Sequence, residues 1–435
     1  MKLNRVVKNA SWIIVCKTIQ SVLAFVISTL SARYLGASGY GELNYAASVV
    51  SFVAPIMYLG FNSTLVRELV KDPDHQGEIM GTAIGSSVIS AILCMIGANA
   101  FVYIANKGDT KTIIVCALYS TLLLFQAIDL IKYWFQSKLL SKYTSIAALG
   151  AYMVMAGYKI LLLVTKKSVY WFAAASSIES LVIAIALIIS YLLIGKKRLR
   201  FSFKRAGSML KRSGFFIISN MMITIFAHTD RIMLKHMIGD EATGIYSAAV
   251  TLAVITSFVF TAIIDSASPV ILESTEDIPR FEKNMTRTYC IVIYLSLLQS
   301  VAMTLLAKPM VLLTFGAGFT DSIRVLRLVV WYTTFSYCGG VRSVWILAKN
   351  YQKYIWRINL AGALMNVALN FALIPFMGIM GAALASILSQ FFTNVIMGYI
   401  IRPFRPCNAL MVKSLAPGNI VDLIRIIRGK ADRLQ

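Results

Sequence analysis

Long apolar stretches alternate with short polar segments along almost the whole chain. Segments 13–30, 181–194 and 217–226 contain at most one charged residue each and are too continuously apolar to be strands of a half-buried sheet. A helix needs roughly 20 mostly apolar residues to cross the hydrocarbon core of a bilayer. The pattern therefore predicts an all-α integral membrane protein with about twelve transmembrane helices. We place the spans at residues 11–34, 42–66, 79–105, 112–135, 143–165, 169–195, 213–238, 243–270, 287–307, 322–347, 355–377 and 380–402.

The composition favours a membrane protein without a soluble catalytic domain. Of the 435 residues, 58% are hydrophobic and 14% are charged, whereas soluble domains carry about 25% charged residues. A formal net charge of +23 is high enough to suggest a nucleic-acid partner. The cations stand between apolar stretches, however, and not on one soluble face. We therefore attribute them to membrane topology and expect no nucleic-acid partner.

The distribution of Lys and Arg over the polar segments predicts the orientation. The linker 196–212 holds eight of these residues and the segment 402–433 holds seven, while Lys2, Arg5 and Lys8 precede the first span. Loops on the opposite side hold far fewer. Because Lys and Arg are enriched in cytoplasmic loops, we expect both termini and the linker to lie in the cytoplasm.

The basic linker also divides the chain into domains. We predict an N-terminal six-helix lobe at 1–195, a C-terminal six-helix lobe at 213–402 and a basic cytoplasmic tail at 403–435. In the tail, one helical face is shared by Ile420, Leu423, Ile424 and Ile427, which predicts a short amphipathic helix on the cytoplasmic leaflet. A solvated tail is the alternative.

The two lobes resemble each other at a fixed offset. The segment RYLGASGYGELNYAAS in the first lobe corresponds to HMIGDEATGIYSAAV in the second, so that Gly36 matches Gly239 and Gly41 matches Gly244. Because each lobe has an even number of predicted spans, the lobes point the same way across the membrane. We therefore expect a parallel repeat with a pseudo-two-fold axis along the membrane normal.

The seventh predicted span carries polar side chains three or four positions apart, which places them on one stripe of a helix: Asn220, Thr224, His228, Arg231 and Lys235. The first span repeats this pattern more weakly with Lys17, Ser21 and Ser28. Ionisable groups at bilayer depth normally face a cavity or a partner. We predict that both helices line a shared, cationic and polar cavity that binds substrate. The alternative is a helix buried among its neighbours whose polar groups pair internally, for example Arg231 with Asp230.

Further residues inside the spans are candidates for other roles. The coupling-ion candidates are Glu179, Asp230 and Asp265. Glu179 lies near the middle of the sixth span without an evident local partner, so it could bind a proton or a cation. Arg342, inside the tenth span, is predicted to line the cavity. Lys159 lies nearer the outer end of its span, where snorkelling explains it almost as well as a functional role. Pro55 interrupts the backbone bonding of the second span and is a candidate hinge.

No catalytic or metal-binding motif accompanies these residues. The sequence has no phosphate-binding loop of an ATP-driven motor, and its three histidines lack the spacing of metal ligands. The six cysteines show no CxxC spacing and are interpreted as small buried hydrophobes. We therefore predict a protein that is not an enzyme, has no metal or cofactor, and is driven by protons, sodium or the membrane potential.

Three segments resemble a known family. ARYLGASGYG in the first half, and LAKPMVLLTFGAGFTDSIRVLRLV and LAGALMNVALNFALIPFMGIMGAALASILSQ in the second, are similar to the polysaccharide (Wzx-type) flippases of the multidrug/oligosaccharidyl-lipid/polysaccharide exporter superfamily. The resemblance covers nearly the whole chain. The lipid II flippases of the same superfamily have more spans than are predicted here, which favours the polysaccharide branch.

The resemblance implies a function in the bacterial inner membrane. Such a flippase moves undecaprenyl-pyrophosphate-linked oligosaccharide repeat units to the outer leaflet for O-antigen or capsule synthesis, by alternating access between two lobes. A cationic cavity would hold the pyrophosphate by charge-assisted hydrogen bonds. Membrane lipid, a polysaccharide polymerase and a chain-length regulator are the further partners implied. Two alternatives stay open: a cation-coupled multidrug or small-molecule exporter of the same superfamily, and a membrane glycan polymerase or ligase.

Overall fold

Helices are the only long regular elements in the part of the chain that the structure, a computed structural model, describes: residues 2–195 and 198–419. Several of these helices are long and apolar enough to cross a membrane. The predicted fold class, an all-α integral membrane protein, is confirmed. Lys196 and Lys197 of the predicted linker, and the predicted amphipathic helix at 420–427, lie outside the described residues.

The chain up to Gly244 forms one compact unit. Its helices are α1 (Lys2–Met57), α2 (Phe61–Lys71), α3 (Gln76–Ala105), α4 (Thr110–Ser120), α5 (Leu122–Ile128), α6 (Ile131–Ser137), α7 (Ser141–Val164), α8 (Val169–Ile194), α9 (Phe203–Met237) and the first residues of α10 (Asp240–Ala253). α7 and α8 pack against each other, and α1 packs against both α7 and α9. The side chain of Ser202 caps α9 by accepting a hydrogen bond from the backbone N–H of Arg205 (3.4 Å).

The chain from Ile245 onward forms a second compact unit. It contains the remainder of α10, then α11 (Ser257–Glu273), α12 (Ile278–Thr314), α13 (Ser322–Val329), α14 (Tyr332–Ala348), α15 (Ile355–Met377), α16 (Ile379–Phe391), α17 (Met397–Ile400) and α18 (Arg405–Ser414). A π-helical turn, Phe392–Ile396, joins α16 to α17. The core of this unit is built from α12, α14 and α18, around Tyr289, Trp345 and Phe404.

The two units divide at a different place from the predicted lobes. The predicted boundary lies in the linker 196–212, whereas the units divide after Gly244 because α9 packs against α1. α9 also begins at Phe203, so that part of the predicted linker is helical. The division into 1–195 and 213–402 follows the sequence repeat and stays a prediction.

Each of the twelve predicted spans is largely helical, although turns interrupt the helix in the spans 42–66, 112–135, 243–270 and 322–347. By length and hydropathy alone, eight helical segments among the described residues could cross a membrane, or nine if the bent pair α10 and α11 is one span. The number is lower than twelve partly because the single segment Cys16–Lys71 includes most of the first predicted span and all of the second, and α1 makes up most of this segment. At 1.5 Å per residue its 56 residues would extend roughly 84 Å, far more than the hydrocarbon core of about 30 Å. The count of twelve and the cytoplasmic location of the termini stay predictions.

Two ion pairs connect the start of α9 to the loop between α2 and α3 and to the first turn of α3. Arg205 Nη1 lies 3.0 Å from Asp72 Oδ2, and Arg205 Nε lies 3.1 Å from Glu78 Oε1. Hydrogen bonds from His75 and then Arg205 lower the pKa of the Asp72 carboxyl below its usual value. The contribution of Asp72 to this contact is therefore present at neutral pH and is lost as the pH falls through its lowered pKa.

The first pair of repeat glycines breaks the helices at equivalent places. Gly36 is the one non-helical residue inside α1, with φ 69° and ψ 176°. Gly239 separates α9 from α10 and has φ 135°. Residues with a Cβ rarely adopt such positive φ values, so the two glycines are required by the backbone. The repeat read from the sequence thus has a structural counterpart in these two helix breaks.

The second pair of repeat glycines brings α1 and α10 into backbone contact. A Cβ built on Gly41 would lie 2.7 Å from Gly244 N and would also overlap the carbonyl of Asp240. A Cβ built on Gly244 would lie 3.0 Å from Gly41 N and would overlap the carbonyl of Ala37. Ala37 and Asp240 are themselves equivalent in the repeat. The contact is therefore reciprocal.

We expect Gly41→Ala to lower the thermal unfolding temperature of the purified protein, because the added methyl group forces α1 and α10 apart. Overpacking of this kind destabilises proteins by about 1–3 kcal/mol. Gly97→Ala in α3 is the matched control, since a Cβ at Gly97 meets no atom within 4 Å and Ala favours helix. Equal unfolding temperatures for the wild type and Gly41→Ala would contradict the close contact.

Exposed apolar side chains cover the outer faces of several helices, as expected of a protein surrounded by lipid. Large apolar side chains such as Leu93, Ile104, Leu305 and Phe376 are exposed on α3, α12 and α15. Long helices that expose such residues need hydrocarbon around them. All six cysteines are free and buried, in agreement with their interpretation as small hydrophobes.

Candidate functional site

A cavity of about 450 Å³ lies within the first unit, among α1, α2, α4, α5 and α9. We call it the larger cavity. Its volume is within the range of about 300–1,000 Å³ that is typical of small-molecule sites. It is lined by Val50, Ser51, Ala54, Pro55, Tyr58, Asn62, Tyr119, Leu122, Gln126, Asn220, Ile223, Thr224 and His228.

Three residues of the predicted polar stripe form the α9 wall of the larger cavity. Asn220, Thr224 and His228 are four residues apart, so their side chains lie on one face of the helix. Thr224 Oγ1 donates a hydrogen bond to the carbonyl of Asn220 (2.9 Å), which leaves the oxygen able to accept one. The structure brings these three residues to one cavity, as the spacing suggested, and their role in binding substrate stays a prediction.

The polar lining of the larger cavity is neutral, in contrast to the cationic cavity predicted. It combines the amides of Asn62, Gln126 and Asn220 with hydroxyl groups, two tyrosines and an imidazole, and none of its lining residues is Lys, Arg, Asp or Glu. Asn220 Nδ2 is buried and has no hydrogen-bond partner within the described chain. A buried donor of this kind is unfavourable unless something bonds to it.

The two cations of the stripe, Arg231 and Lys235, lie beyond the larger cavity. Arg231 Nη1 is 3.4 Å from His228 Nδ1. Lys235 forms an ion pair with Asp240, lies 3.3 Å from Thr112 Oγ1 and stands over the ring of Tyr45. The charge of Lys235 is therefore balanced within the protein, and only part of the predicted stripe faces the cavity.

Beside Lys235 lies a second ion pair that the sequence analysis missed. Lys111 Nζ is 2.7 Å from Glu42 Oε2, and the side chain of Glu42 is only 1% exposed. Together with Lys235 and Asp240 these residues form a network of two cations and two carboxylates. Glu42 lies inside the repeat segment, next to Gly41, and was interpreted only as part of that repeat. A search for carboxylates at span ends would have found it.

A smaller cavity, of about 140 Å³, lies between the first part of α1, α7 and α8. Lys159 Nζ and Glu179 Oε2 are 2.8 Å apart in its wall, with side chains 19% and 15% exposed. The expectation that Glu179 has no local partner is therefore wrong, and its partner is Lys159, for which snorkelling was one of two interpretations. α7 and α8 are adjacent antiparallel helices, so a long lysine side chain reaches the carboxylate on its neighbour.

The residues of the first span do not join the α9 stripe at either cavity. Lys17 and Ser21 are exposed on α1, and Ser21 donates its hydroxyl hydrogen to the carbonyl of Lys17 (2.8 Å). Ser28 lines the smaller cavity and lies 3.0 Å from Tyr40 Oη. Neither of these cavities is lined by polar side chains from both the first and the seventh predicted span, and the cavity predicted to be shared by them stays a prediction. The proposed roles of Lys17 and Ser21 in substrate binding stay predictions.

Arg342 lies in the second unit and is buried, with 2% of its surface exposed. Its guanidinium donates to the backbone carbonyls of Thr393 (3.1 Å) and Asn394 and to Asn408 Oδ1 (3.1 Å). A π-helical turn shifts the backbone hydrogen-bond register, and Arg342 bonds to carbonyls of this turn. Arg342 therefore lies in a buried hydrogen-bond network and lines neither of the two cavities, and its predicted role in binding substrate stays a prediction. Gly339 allows α14 to pack closely against Asn394, since a Cβ there would lie 2.9 Å from Asn394 Cγ.

The remaining candidates lie in different surroundings. Asp230 is buried at 6% exposure on α9, whereas Asp265 is exposed on α11 in the second unit. Pro55 lies in the last turn of α1 and lines the larger cavity. The backbone of α1 departs from helical geometry at Gly36 and not at Pro55. Their roles as coupling-ion sites and as a hinge stay predictions.

Comparisons with known proteins agree on one family. The family described as polysaccharide biosynthesis protein matches residues 6–275. The capsular polysaccharide biosynthesis protein CapF of Staphylococcus aureus is 23% identical over 397 residues, which cover 88% of this chain and 96% of CapF. A protein of Escherichia coli (strain K12) that is provisionally named an O-antigen transporter is 19% identical over 414 residues, covering 91% of this chain and 96% of that protein.

The fold also matches a solved membrane protein. The lipid II flippase MurJ, in an inward closed conformation, aligns with a TM-score of 0.76 at 14% sequence identity. The alignment covers 92% of this chain and 90% of MurJ. This chain therefore shares the MurJ fold.

Proposed function

Because this chain belongs to the polysaccharide biosynthesis protein family, we propose that it moves undecaprenyl-pyrophosphate-linked oligosaccharide repeat units across the bacterial inner membrane. The lipid-linked units would reach the outer leaflet for assembly into O-antigen or capsule. Like its relatives, the chain is a multi-pass membrane transport protein and not an enzyme. A glycan polymerase or ligase activity is therefore not proposed.

One observation carries this proposal most directly: a hydrogen-bonding cavity sits among helices whose outer surfaces are apolar. A flippase must offer the polar headgroup of its substrate an environment that replaces water while the isoprenoid tail remains in lipid. The larger cavity supplies amide, hydroxyl and imidazole groups in such a position. Transport would proceed by alternating access, in which states open to each side differ by a few kcal/mol.

Reconstitution tests the proposed function. Lipid-linked repeat units extracted from a strain that lacks this gene would be placed in proteoliposomes, and their exposure on each leaflet followed with a membrane-impermeant glycan-modifying reagent. We expect protein-dependent movement between leaflets, compared with protein-free liposomes. Imposed proton, sodium and voltage gradients would then identify the driving force. Absence of protein-dependent movement under every gradient would refute the proposal.

The chemistry of the cavities argues against a cation-coupled drug exporter. An exporter of cationic drugs needs a carboxylate available to the drug or to the coupling ion. The larger cavity has none among its lining residues, and the carboxylate in the smaller cavity, Glu179, is paired with Lys159. We expect deletion of the gene to abolish surface polysaccharide and to leave sensitivity to cationic drugs unchanged, as measured by minimal inhibitory concentrations.

A further inference from the structure

We propose that the larger cavity binds the glycan part of the lipid-linked substrate and not its pyrophosphate. This inference rests on the proposed function and specifies which part of the substrate the cavity recognises. Three features support it: the neutral lining, the pairing of amides with tyrosine rings, and an unsatisfied amide donor in the wall.

The neutral lining argues against pyrophosphate as the occupant. Proteins that hold phosphate groups use Arg, Lys or the N–H groups of a helix N-terminus. None of the residues lining the larger cavity is Arg or Lys. Its α9 wall, at residues 220–228, lies in the interior of a helix that begins at Phe203. The first turns of α2 and α5 border the cavity at Asn62 and Leu122, so pyrophosphate is disfavoured by the lack of Arg and Lys in the lining. Of the two cations that follow on α9, Arg231 lies against His228 at the edge of the cavity (3.4 Å) without lining it, and Lys235 is bonded to Asp240.

The amides in the wall suit a sugar ring. A sugar hydroxyl is both a donor and an acceptor, and the side chains of Asn62, Gln126 and Asn220 each offer both functions. Asn220 Nδ2 is buried without a partner within the described chain. A rotation of the Asn220 side chain toward the cavity would let a sugar hydroxyl accept from this group and would remove the unfavourable unsatisfied donor. An isoprenoid chain in the same place would leave it unsatisfied.

Two tyrosines, Tyr58 and Tyr119, complete the arrangement. A sugar ring has one face rich in C–H groups, which packs on the flat face of an aromatic ring, while the phenol hydroxyl remains available for hydrogen bonding. The cavity of about 450 Å³ admits a small part of a glycan and not a complete lipid-linked molecule. The pyrophosphate and the tail would therefore lie outside it.

The test compares two lipids on the purified full-length protein in nanodiscs. The first lipid is the intact lipid-linked repeat unit from the deletion strain, and the second is undecaprenyl pyrophosphate without sugar. The ratio of the dissociation constant of undecaprenyl pyrophosphate to that of the intact unit measures what the glycan contributes to binding. We expect the wild type to bind the intact unit at least about tenfold more tightly, since tenfold corresponds to one or two net hydrogen bonds.

Two variants locate that contribution. Asn220→Leu and Gln126→Leu keep the approximate size of the side chain and remove its hydrogen bonds. We expect each to reduce the ratio about tenfold while binding of undecaprenyl pyrophosphate stays within about twofold of the wild type. Ser190→Ala in α8 is the control, because its hydroxyl donates to the Ala186 carbonyl and lines neither cavity. Thermal unfolding of each variant shows that it is folded.

The possible outcomes separate this inference from the proposed function. If the wild type binds both lipids equally, or if the two variants weaken undecaprenyl pyrophosphate and leave the ratio unchanged, the cavity does not bind the glycan. If the wild type binds neither lipid, the proposed function itself fails. Tighter binding of the intact unit that is lost in Asn220→Leu and Gln126→Leu, but retained in Ser190→Ala, supports both.

Discussion

Arg342→Met lowers the free energy of unfolding by about 3 kcal/mol or more and depletes the protein from the membrane. The wild-type guanidinium satisfies the carbonyls of Thr393 and Asn394 and the amide oxygen of Asn408. Methionine fills similar space but donates no hydrogen bond, so these buried acceptors lose their partner. Each buried group left unsatisfied costs about 1–3 kcal/mol. The effect should appear in the unfolding transition of the purified protein and in its abundance in membranes.

A surface arginine provides the comparison. Arg324 is exposed on α13 of the same unit, so Arg324→Met should leave the stability within about 0.5 kcal/mol of the wild type. Transport by Arg342→Met is then measured per molecule of folded protein. A stable Arg342→Met protein that has lost transport would contradict the structural position and would return Arg342 to the substrate path predicted from its depth in the span.

The repeat glycines show what the sequence alone could predict well. Gly36 and Gly239 both have positive φ, and Gly41 and Gly244 touch each other through their backbones. Glycine is the residue that such conformations and contacts require, so its spacing carries structural information. The spacing of Asn220, Thr224 and His228 also predicted one wall of a cavity. Helical periodicity could predict it because it depends on a single helix.

The partners of buried charges could not be predicted in the same way. Arg342 bonds to residues 51 to 66 positions later in the chain, and Glu179 bonds to Lys159, 20 positions earlier. Depth in a span says that a charge needs a partner but not which helix supplies it. The neutral amides Asn62 and Gln126 were missed for a related reason, because the sequence does not show which helices meet at the larger cavity.

We expect the protein to be destabilised when either Lys159 or Glu179 is neutralised alone, and to be nearly as stable as the wild type when both are neutralised together. Both side chains are more than four-fifths buried. Removing one partner leaves an uncompensated charge in a low-dielectric region, which typically costs 3–5 kcal/mol, whereas neutralising both is often tolerated. We therefore expect Lys159→Met and Glu179→Gln each to lower membrane abundance sharply. The double variant should recover an unfolding temperature close to the wild type.

The double variant also tests whether Glu179 binds a coupling ion. A carboxylate whose only task is to balance Lys159 is dispensable once the lysine is gone, so flipping by the double variant would keep its dependence on imposed gradients. A coupling site would give a different result: a folded double variant whose transport no longer responds to the proton or sodium gradient. Lys132→Met with Asp129→Asn, which neutralises another ion pair of the first unit, is the matched control. Single variants as stable as the wild type would contradict the pair itself.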